Sequence, residues 1–254
     1  MISNDDARNF YLSQDRPGIY DPTDAHPLQI FRGLFAYGGV YTPGICQRGF
    51  MIFERFQAIQ EYCFGCYKVL VEPRTVMELF KLLILFQRLH LPNNNIRKCM
   101  TEFRTDCSGA YKGYVSCGGI EEGNEILAIV GNEVSQQISP NISTSLKRGC
   151  SEFAAVYPEY ARAEPGIEPM KYNEDWREYE EYFEKHARWN PGKPDYPYQK
   201  VGEPFKPSEV YAMTMFLHYA ATIGDESYLE IAEGILPPIE GLKRPRFNAP
   251  HISE

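Results

Sequence analysis

Residues 66–88 read CYKVLVEPRTVMELFKLLILFQR, and they set out the first half of the fold. Polar and apolar side chains alternate over residues 66–72, which is typical of a β-strand, and Pro73 ends the pattern. Thr75 and Glu78 then have the spacing of a capping box, and apolar residues follow at helical spacing. The stretch therefore predicts a strand that leads into an amphipathic helix.

A similar pattern continues downstream, with one extra strand. Residues 96–104 and 110–117 each alternate, and the sequence at 106–109 between them is typical of a hairpin turn. Apolar residues then recur at helical spacing over 120–138, and residues 143–150 indicate a last strand. The order strand, helix, strand, strand, helix, strand predicts a ferredoxin-like unit (βαββαβ), a four-stranded antiparallel sheet with two helices on one face.

The two flanks of this unit differ from it in composition. In the N-terminal segment 1–61, residues 1–45 are rich in Pro, Gly, Asp and Tyr, which predicts an irregular arm, and the apolar spacing from Arg48 to Tyr62 predicts a short helix. Residues 153–254 are rich in Pro and Tyr, with helices predicted after the capping residues Asn173 and Ser208. We therefore expect an α+β protein whose ferredoxin-like core, residues 62–152, carries an arm and a helical extension packed on the core.

The charge and hydropathy of the chain exclude several classes of protein. The formal net charge of -8 argues against binding to nucleic acid or to an anionic membrane, because both require a positive surface. The most apolar segment, Leu79 to Phe86, is far shorter than the ~20 residues that cross a bilayer. The N-terminus has neither a basic start nor an apolar stretch, so it is not a secretory signal. We expect a cytoplasmic protein.

The cysteines are predicted to gather at one edge of the sheet. The chain has seven, and without an export signal they are expected to be thiols or metal ligands rather than disulfides. In the predicted topology, the starts of the first two strands and the ends of the last two share an edge. Five cysteines fall there: Cys63, Cys66, Cys99, Cys117 and Cys150.

Converging thiolates from separate strands can hold Zn²⁺ or an iron–sulfur (Fe–S) cluster. We predict Cys63, Cys66, Cys117 and Cys150 as metal ligands, with Cys99 in reserve because it lies inside its strand. A single Cys-x-x-Cys pair with scattered further thiols favours Fe–S slightly over zinc. The leading hypothesis is a thiolate metal-binding protein that acts in electron transfer or as a scaffold for a partner enzyme. The alternative is that these cysteines are small buried hydrophobic residues.

Basic residues accompany the cysteines at the same edge. Basic neighbours favour thiolates and attract anions, so these positions indicate a site for a small anionic ligand. The five basic residues are Lys68, Arg97, Lys98, Lys147 and Arg148. If the protein is a cysteine-dependent enzyme, Cys150 is the best candidate for the nucleophile. Against this, the sequence places no histidine as its base, and basic strand ends are most often solvated.

The cysteine-dependent enzyme is the third hypothesis, and the runner-up to the metal-binding hypothesis is an accessory protein without catalytic activity. The ferredoxin-like sheet and the acidic helical extension would then bind another protein or a second copy of the chain. The sequence contains no glycine-rich phosphate loop, no Gly-x-Ser-x-Gly elbow and no His-Glu-x-x-His motif. The sequence therefore leaves the metal-binding, accessory and enzymatic hypotheses open.

Overall fold

The computed structural model describes residues 1–14, 29–32, 43–104, 107–163, 166–186 and 204–232. Its strands are β1 (Gln29–Arg32), β2 (Tyr67–Glu72), β3 (Arg97–Thr101), β4 (Tyr111–Cys117) and β5 (Ser143–Arg148). They form one sheet in the spatial order β1-β3-β4-β2-β5, and every neighbouring pair is antiparallel. The α-helices are α1 (Asn4–Leu12), α2 (Pro43–Phe56), α3 (Val76–Arg88), α4 (Ile120–Gln137), α5 (Ser151–Val156), α6 (Arg177–His186), α7 (Pro207–Ile223) and α8 (Tyr228–Ala232). The predicted α+β class is confirmed.

The predicted antiparallel sheet is confirmed. β2 pairs with β4 on one side and with β5 on the other, and β3 pairs with β4. Helix α3 begins where the sequence predicts, because the hydroxyl of Thr75 accepts a hydrogen bond from the amide of Glu78. The carboxylate of Glu78 accepts a hydrogen bond from the amide of Arg74.

The N-terminal arm is more regular than predicted. Helix α1 begins after Ser3, whose hydroxyl accepts from the amide of Asp6 while the Asp6 carboxylate accepts from the amide of Ser3. Strand β1 pairs with β3, so the sheet has five strands instead of the predicted four. The expectation of an irregular arm is wrong at both places. A four-residue strand shows too little alternation to be recognised in a sequence rich in turn formers.

Helices α3 and α4 cover one face of the sheet, and two glycines permit their close approach. A Cβ atom on Gly113 of β4 would collide with Leu82 and would touch Phe86, both on α3. A Cβ on Gly123 of α4 would lie 2.6 Å from a methyl group of Leu146 on β5. The helices can therefore lie directly on the sheet, and this interface contains most of the buried apolar residues.

The C-terminal helices α7 and α8 contact α3, and the turn between them accepts hydrogen bonds from the first amides of α3. The carboxylate of Asp225 accepts hydrogen bonds from the amide of Val76 (2.6 Å) and from the phenol of Tyr111 (2.7 Å). The hydroxyl of Ser227 accepts from the amide of Met77 (3.2 Å). These bonds satisfy amides that have no partner within the helix.

A second apolar cluster lies beside the sheet and includes residues of α2, α5 and α6. The rings of Phe53 on α2 and Phe153 on α5 are 4.7 Å apart. Arg48 of α2 donates hydrogen bonds to Glu180 (3.1 Å) and Glu184 (2.7 Å) on α6. This cluster holds the chain segment that enters β2 against the segment that leaves β5.

The boundaries of the C-terminal helices differ slightly from the prediction. Asn173 caps the single turn that precedes α6, as predicted. Helix α7 begins at Pro207 instead of after Ser208, and it ends at Gly224, whose φ of 79° is left-handed. The proline-rich linker between α6 and α7 falls mostly outside the described residues. Among the described helices, none is long and apolar enough to cross a membrane.

Candidate functional site

Strand alternation divides the predicted anion site between the two faces of the sheet. Three lysines lie on the face turned away from α3 and α4: Lys68 is the register partner of Lys147, and Lys98 is the partner of Tyr114. The ammonium groups of Lys68 and Lys98 lie 5.8 and 5.4 Å from the centroid of the Tyr114 ring. We call the surface formed by Lys68, Lys98, Tyr114 and Lys147 the lysine face.

The two arginines of the predicted site lie on the other face. Arg97 is the register partner of Val115, and Arg148 is the partner of Tyr67, both of which belong to the core under the helices. Arg148 is buried, and it donates hydrogen bonds to the phenol oxygen of Tyr67 and to the carbonyl of Met170. The structure therefore does not bring the five basic residues together. Consecutive residues of a strand point to opposite faces, so each arginine is separated from the lysine beside it.

Cys150 lies beside the lysine face, directly after β5. Its sulfur accepts a hydrogen bond from Nζ of Lys68 over 3.6 Å. The preceding residue, Gly149, positions it: the Gly149 amide donates to the carbonyl of Cys66 (2.7 Å), and its φ of 56° is left-handed. A side chain at residue 149 would also collide with the ring of Tyr160. The turn therefore places the Cys150 thiol within hydrogen-bond distance of Lys68 on β2.

The two central lysines have opposite pKa shifts. Burial disfavours the charged form of Lys68. Attraction to Cys150 and Cys66 in their thiolate forms outweighs the effect of burial, and it raises the pKa of Lys68. Burial, together with repulsion from Lys68, lowers the pKa of Lys98 to about 8. The site thus combines a lysine that stays protonated with one that can release its proton near neutral pH.

Arg104 fixes the start of α5 beside Cys150. Its guanidinium donates hydrogen bonds to the hydroxyl of Ser151 (2.7 Å) and to the carboxylate of Glu152 (2.8 Å). It also pairs with the buried carboxylate of Glu102 (2.7 Å), and this hydrogen bond raises the pKa of Arg104. Arg104 therefore links the end of β3 to the segment that carries the thiol.

Sequence reasoning missed both Tyr114 and Arg104. Tyr114 could have been found, because alternation places it on the same face as the lysines once the strands are aligned. The contact of Arg104 with Glu152 spans 48 residues and has no local sequence signal.

Two of the remaining predicted ligands lie near Cys150, on the side of β2 where the second apolar cluster is. The sulfur of Cys63 accepts a hydrogen bond from the amide group of Gln60 (3.3 Å), and burial raises the pKa of Cys63. Burial raises the pKa of Cys66 to about 11, although Lys68 opposes the shift. The three thiols influence one another's charge, and Cys46 of α2 is a further neighbour. Cys46 was not among the predicted ligands, because it lies outside the predicted ferredoxin-like unit.

Cys117 and Cys99 lie on the opposite face, in the core beneath the helices. The thiol of Cys117 donates to the carbonyl of Val115 (3.6 Å), and burial raises the pKa of Cys117 to about 12. Burial also raises the pKa of Cys99. Cys117 is at the same end of the sheet as Cys66, but the two belong to different faces because Tyr67 is the register partner of Cys117.

The positions of these cysteines show which of the predicted metal ligands lie on the same side of the sheet. In the residues that the structure describes, no group of three or more His, Cys, Asp or Glu side chains is arranged to hold a metal ion. All seven cysteines are free of disulfide bonds. The structure brings Cys63, Cys66 and Cys150 towards one another and leaves Cys117 on the far face.

The chemistry available beside β2 is therefore that of a partly exposed thiol, two central lysines and an aromatic ring. The chain matches no known family model, and no curated protein or solved structure is significantly similar to it. We therefore infer the function from the lysine face and Cys150.

Proposed function

We propose that the protein is a cysteine-dependent enzyme that acts on a small anionic substrate, with Cys150 as the nucleophile. The observation that carries this proposal is the 3.6 Å hydrogen bond from Nζ of Lys68 to the sulfur of Cys150. An adjacent ammonium group favours the thiolate, which is the reactive form of cysteine. Cys150 is partly exposed, so a substrate can reach it. The absence of disulfides fits the cytoplasm, where thiols stay reduced.

The lysine face supports an anionic substrate. The ammonium groups of Lys68 and Lys98 lie over the same ring, and Lys147 is the register partner of Lys68. Like charges at such short range repel, and an anionic group bound among them would relieve the repulsion. With a pKa of about 8, Lys98 is mostly protonated at pH 7 and can contribute to binding. We propose that the substrate carries a carboxylate or phosphate group that binds here.

The proposed reaction is acyl transfer to Cys150. The thiolate uses its electron pair to form a carbon–sulfur bond with the substrate carbonyl carbon, and the bond to the leaving group breaks with its electron pair on the leaving group. Lys98 donates a proton to that group and becomes neutral, which its pKa near neutrality favours. Lys68 keeps its proton and compensates the charge of the thiolate before the attack.

Alkylation kinetics test the proposal. We expect Cys150, quantified by peptide mapping at pH 7, to react roughly tenfold faster with iodoacetate than free cysteine does. The preference for anionic iodoacetate over neutral iodoacetamide should also exceed that of free cysteine. Lys68→Met should slow both reactions roughly tenfold, and Cys150→Ser identifies the labelled peptide.

Lys147→Met is the matched control, because it removes the same charge from an exposed position on the same face. It should slow alkylation by less than about threefold, since exposed charges are screened by solvent. If Cys150 reacts no faster than free cysteine, or if Lys68→Met has no effect, the proposal is wrong and the non-catalytic accessory role is favoured.

We further propose that the unit from Tyr67 to Arg148 is ferredoxin-like. Its elements follow the order strand, helix, strand, strand, helix, strand, and its four strands are arranged β3-β4-β2-β5. Both features support the split β-α-β arrangement, with β1 as an added edge strand. Cross-strand NOEs from Val69 to both Val115 and Leu146 are the expected result. Their assignment to separate sheets would contradict the proposal.

The metal-binding hypothesis keeps one supporting observation, which is the electrostatic proximity of Cys63, Cys66 and Cys150. The spectrum and elemental content of anaerobically purified protein test it. Broad absorption near ~400 nm with bound iron would indicate an Fe–S cluster, and colourless protein with stoichiometric zinc would indicate a structural site. Either metal should be lost in Cys66→Ser and retained in Cys99→Ala, because Cys99 lies on the opposite face of the sheet. Protein that contains neither metal would contradict the hypothesis.

A further inference from the structure

Arg97, the first residue of β3, is buried with an incomplete set of hydrogen bonds. Only 1% of its surface is exposed, and it is among the largest side chains that the fold buries completely. Nη1 donates to the carbonyl of Phe86 in the last turn of α3. Among the residues that the structure describes, Nε and Nη2 have no hydrogen-bond partner. Buried polar groups are almost always satisfied, so two unsatisfied donors on one cation indicate a missing partner.

The charge of Arg97 is also uncompensated. In the described part of the chain Arg97 forms no ion pair, and burial alone lowers the pKa of Arg97 to about 10. The register of the sheet places Arg32 of β1 directly opposite Arg97. A buried cation without a counter-charge is strongly unfavourable, and an anion at this position would remove the penalty.

The geometry of the unsatisfied atoms selects the kind of anion. Nε and Nη2 carry the two parallel N–H bonds on one edge of a guanidinium, and this edge matches the two oxygens of a carboxylate. The bond from Nη1 to Phe86 orients the guanidinium, and its Nε–Nη2 edge makes no hydrogen bond to the described residues. Arg97 lies where α3 leads through residues 89–96 into β3, and Pro92 and Asn93 in that loop are exposed.

We propose that the Nε–Nη2 edge of Arg97 is a second anion-binding site that takes the carboxylate of a small molecule, between β3 and the C-terminal end of α3. The site is separate from the lysine face, because Arg97 and Lys98 point to opposite sides of the sheet. It does not depend on the reactivity of Cys150. The carboxylate accepts two parallel hydrogen bonds and supplies the counter-charge that the core lacks.

Thermal unfolding in sodium formate and in sodium chloride of equal ionic strength tests the site. Formate has two planar oxygens and chloride has none, so we expect formate to raise Tm saturably by about 2–4 °C over chloride. In the Lys98→Met background, which weakens carboxylate binding at the lysine face, adding Arg97→Met should abolish this difference. Lys98→Met is the matched control on the neighbouring residue and should retain it, because its side chain belongs to the lysine face.

A second measurement does not require a variant. Titration with formate should shift the Nε–H resonance of Arg97, assigned through its own side-chain carbons, with the same saturation as Tm. Equal Tm in formate and chloride together with an unshifted resonance would overturn the proposal, and the two nitrogens would then contact water. If the formate effect persists in Arg97→Met and disappears in Lys98→Met, the anion binds the lysine face, and this second site is rejected while the proposed function gains support.

Discussion

The phenol of Tyr111 and the carboxylate of Asp225 lie 2.7 Å apart, although 114 residues separate them in the sequence. The same carboxylate accepts a hydrogen bond from the first amide of α3, at Val76. One side chain therefore joins the sheet, the helix that covers it and the C-terminal extension. Burial and the neighbouring carboxylate together raise the pKa of Tyr111, which keeps its proton available as a donor.

Asp225→Ala should lower the free energy of unfolding by about 2–3 kcal/mol, since it removes a helix cap and leaves a buried phenol without an acceptor. Tyr111→Phe should lower it by about 1 kcal/mol, because the cap survives. Urea denaturation measures both. Glu125→Ala, an exposed carboxylate on α4, is the control and should stay within about 0.5 kcal/mol of wild type. An effect of Asp225→Ala as small as the control would show that the cap does not form.

Gly113→Ala should destabilise the protein by about 1–3 kcal/mol, because the new methyl group collides with Leu82 and Phe86 and pushes α3 away from the sheet. The control is Gly65→Ala, where a Cβ meets nothing within 4 Å. Gly65→Ala should change the free energy of unfolding by less than about 0.5 kcal/mol. Equal effects of the two substitutions would mean that α3 does not lie directly on β4.

Lys98→Met should stabilise the protein at pH 7 and lose that advantage at high pH. The pKa of Lys98 is about 8 in the folded protein, below its usual value of 10.5, so the unfolded chain binds more protons between these pH values. The loss of folding stability caused by burying the charged Lys98 is complete below pH 8, and it disappears as the pH rises towards 10.5. We expect a gain of about 1–2 kcal/mol at pH 7, after allowance for solvent screening, that vanishes near pH 10.5. A difference that does not change with pH would contradict the lowered pKa.

Arg148→Lys should destabilise the protein by about 2–3 kcal/mol despite the retained charge. The guanidinium lies 5.4–5.7 Å from the ring centroids of Phe64, Tyr67 and Tyr160, and a lysine cannot reproduce its planar stacking and forked hydrogen bonds. Arg74→Lys is the control, since this arginine is 54% exposed. It should change stability by less than about 0.5 kcal/mol. Comparable effects would show that Arg148 is not held by the rings.

The core elements of the fold were predictable because their signals are local. Residues 67–72 of β2 include the β-branched Val69 and Val71 and end at Pro73, and the helical spacing that follows the Thr75 cap is continuous. β1 was not predictable, because an edge strand of four residues depends on its neighbour β3 for its conformation.

The candidate site was only partly predictable, and the reason is geometric. The order of the strands assigns each cysteine to an edge of the sheet, but it does not assign the cysteine to a face. Cys66 and Cys117 were therefore grouped, although they lie on opposite faces of the sheet. The contact of Lys68 with Cys150 spans 82 residues. It depends on the turn at Gly149, whose left-handed conformation cannot be distinguished in the sequence from that of other glycines.

The division of Arg97 and Lys98 between the two faces limits how the chain can change in length. One residue inserted ahead of β3 and transmitted through the strand would exchange the two side chains, so that an ammonium group met the carbonyl of Phe86 and a guanidinium met the ring of Tyr114. Cys99 would leave the core in the same step. A tolerated insertion must therefore lengthen the loop at 89–96 or form a β-bulge, so that the register of β3 is unchanged. Charged residues of β3 thus constrain its register as much as its apolar residues do.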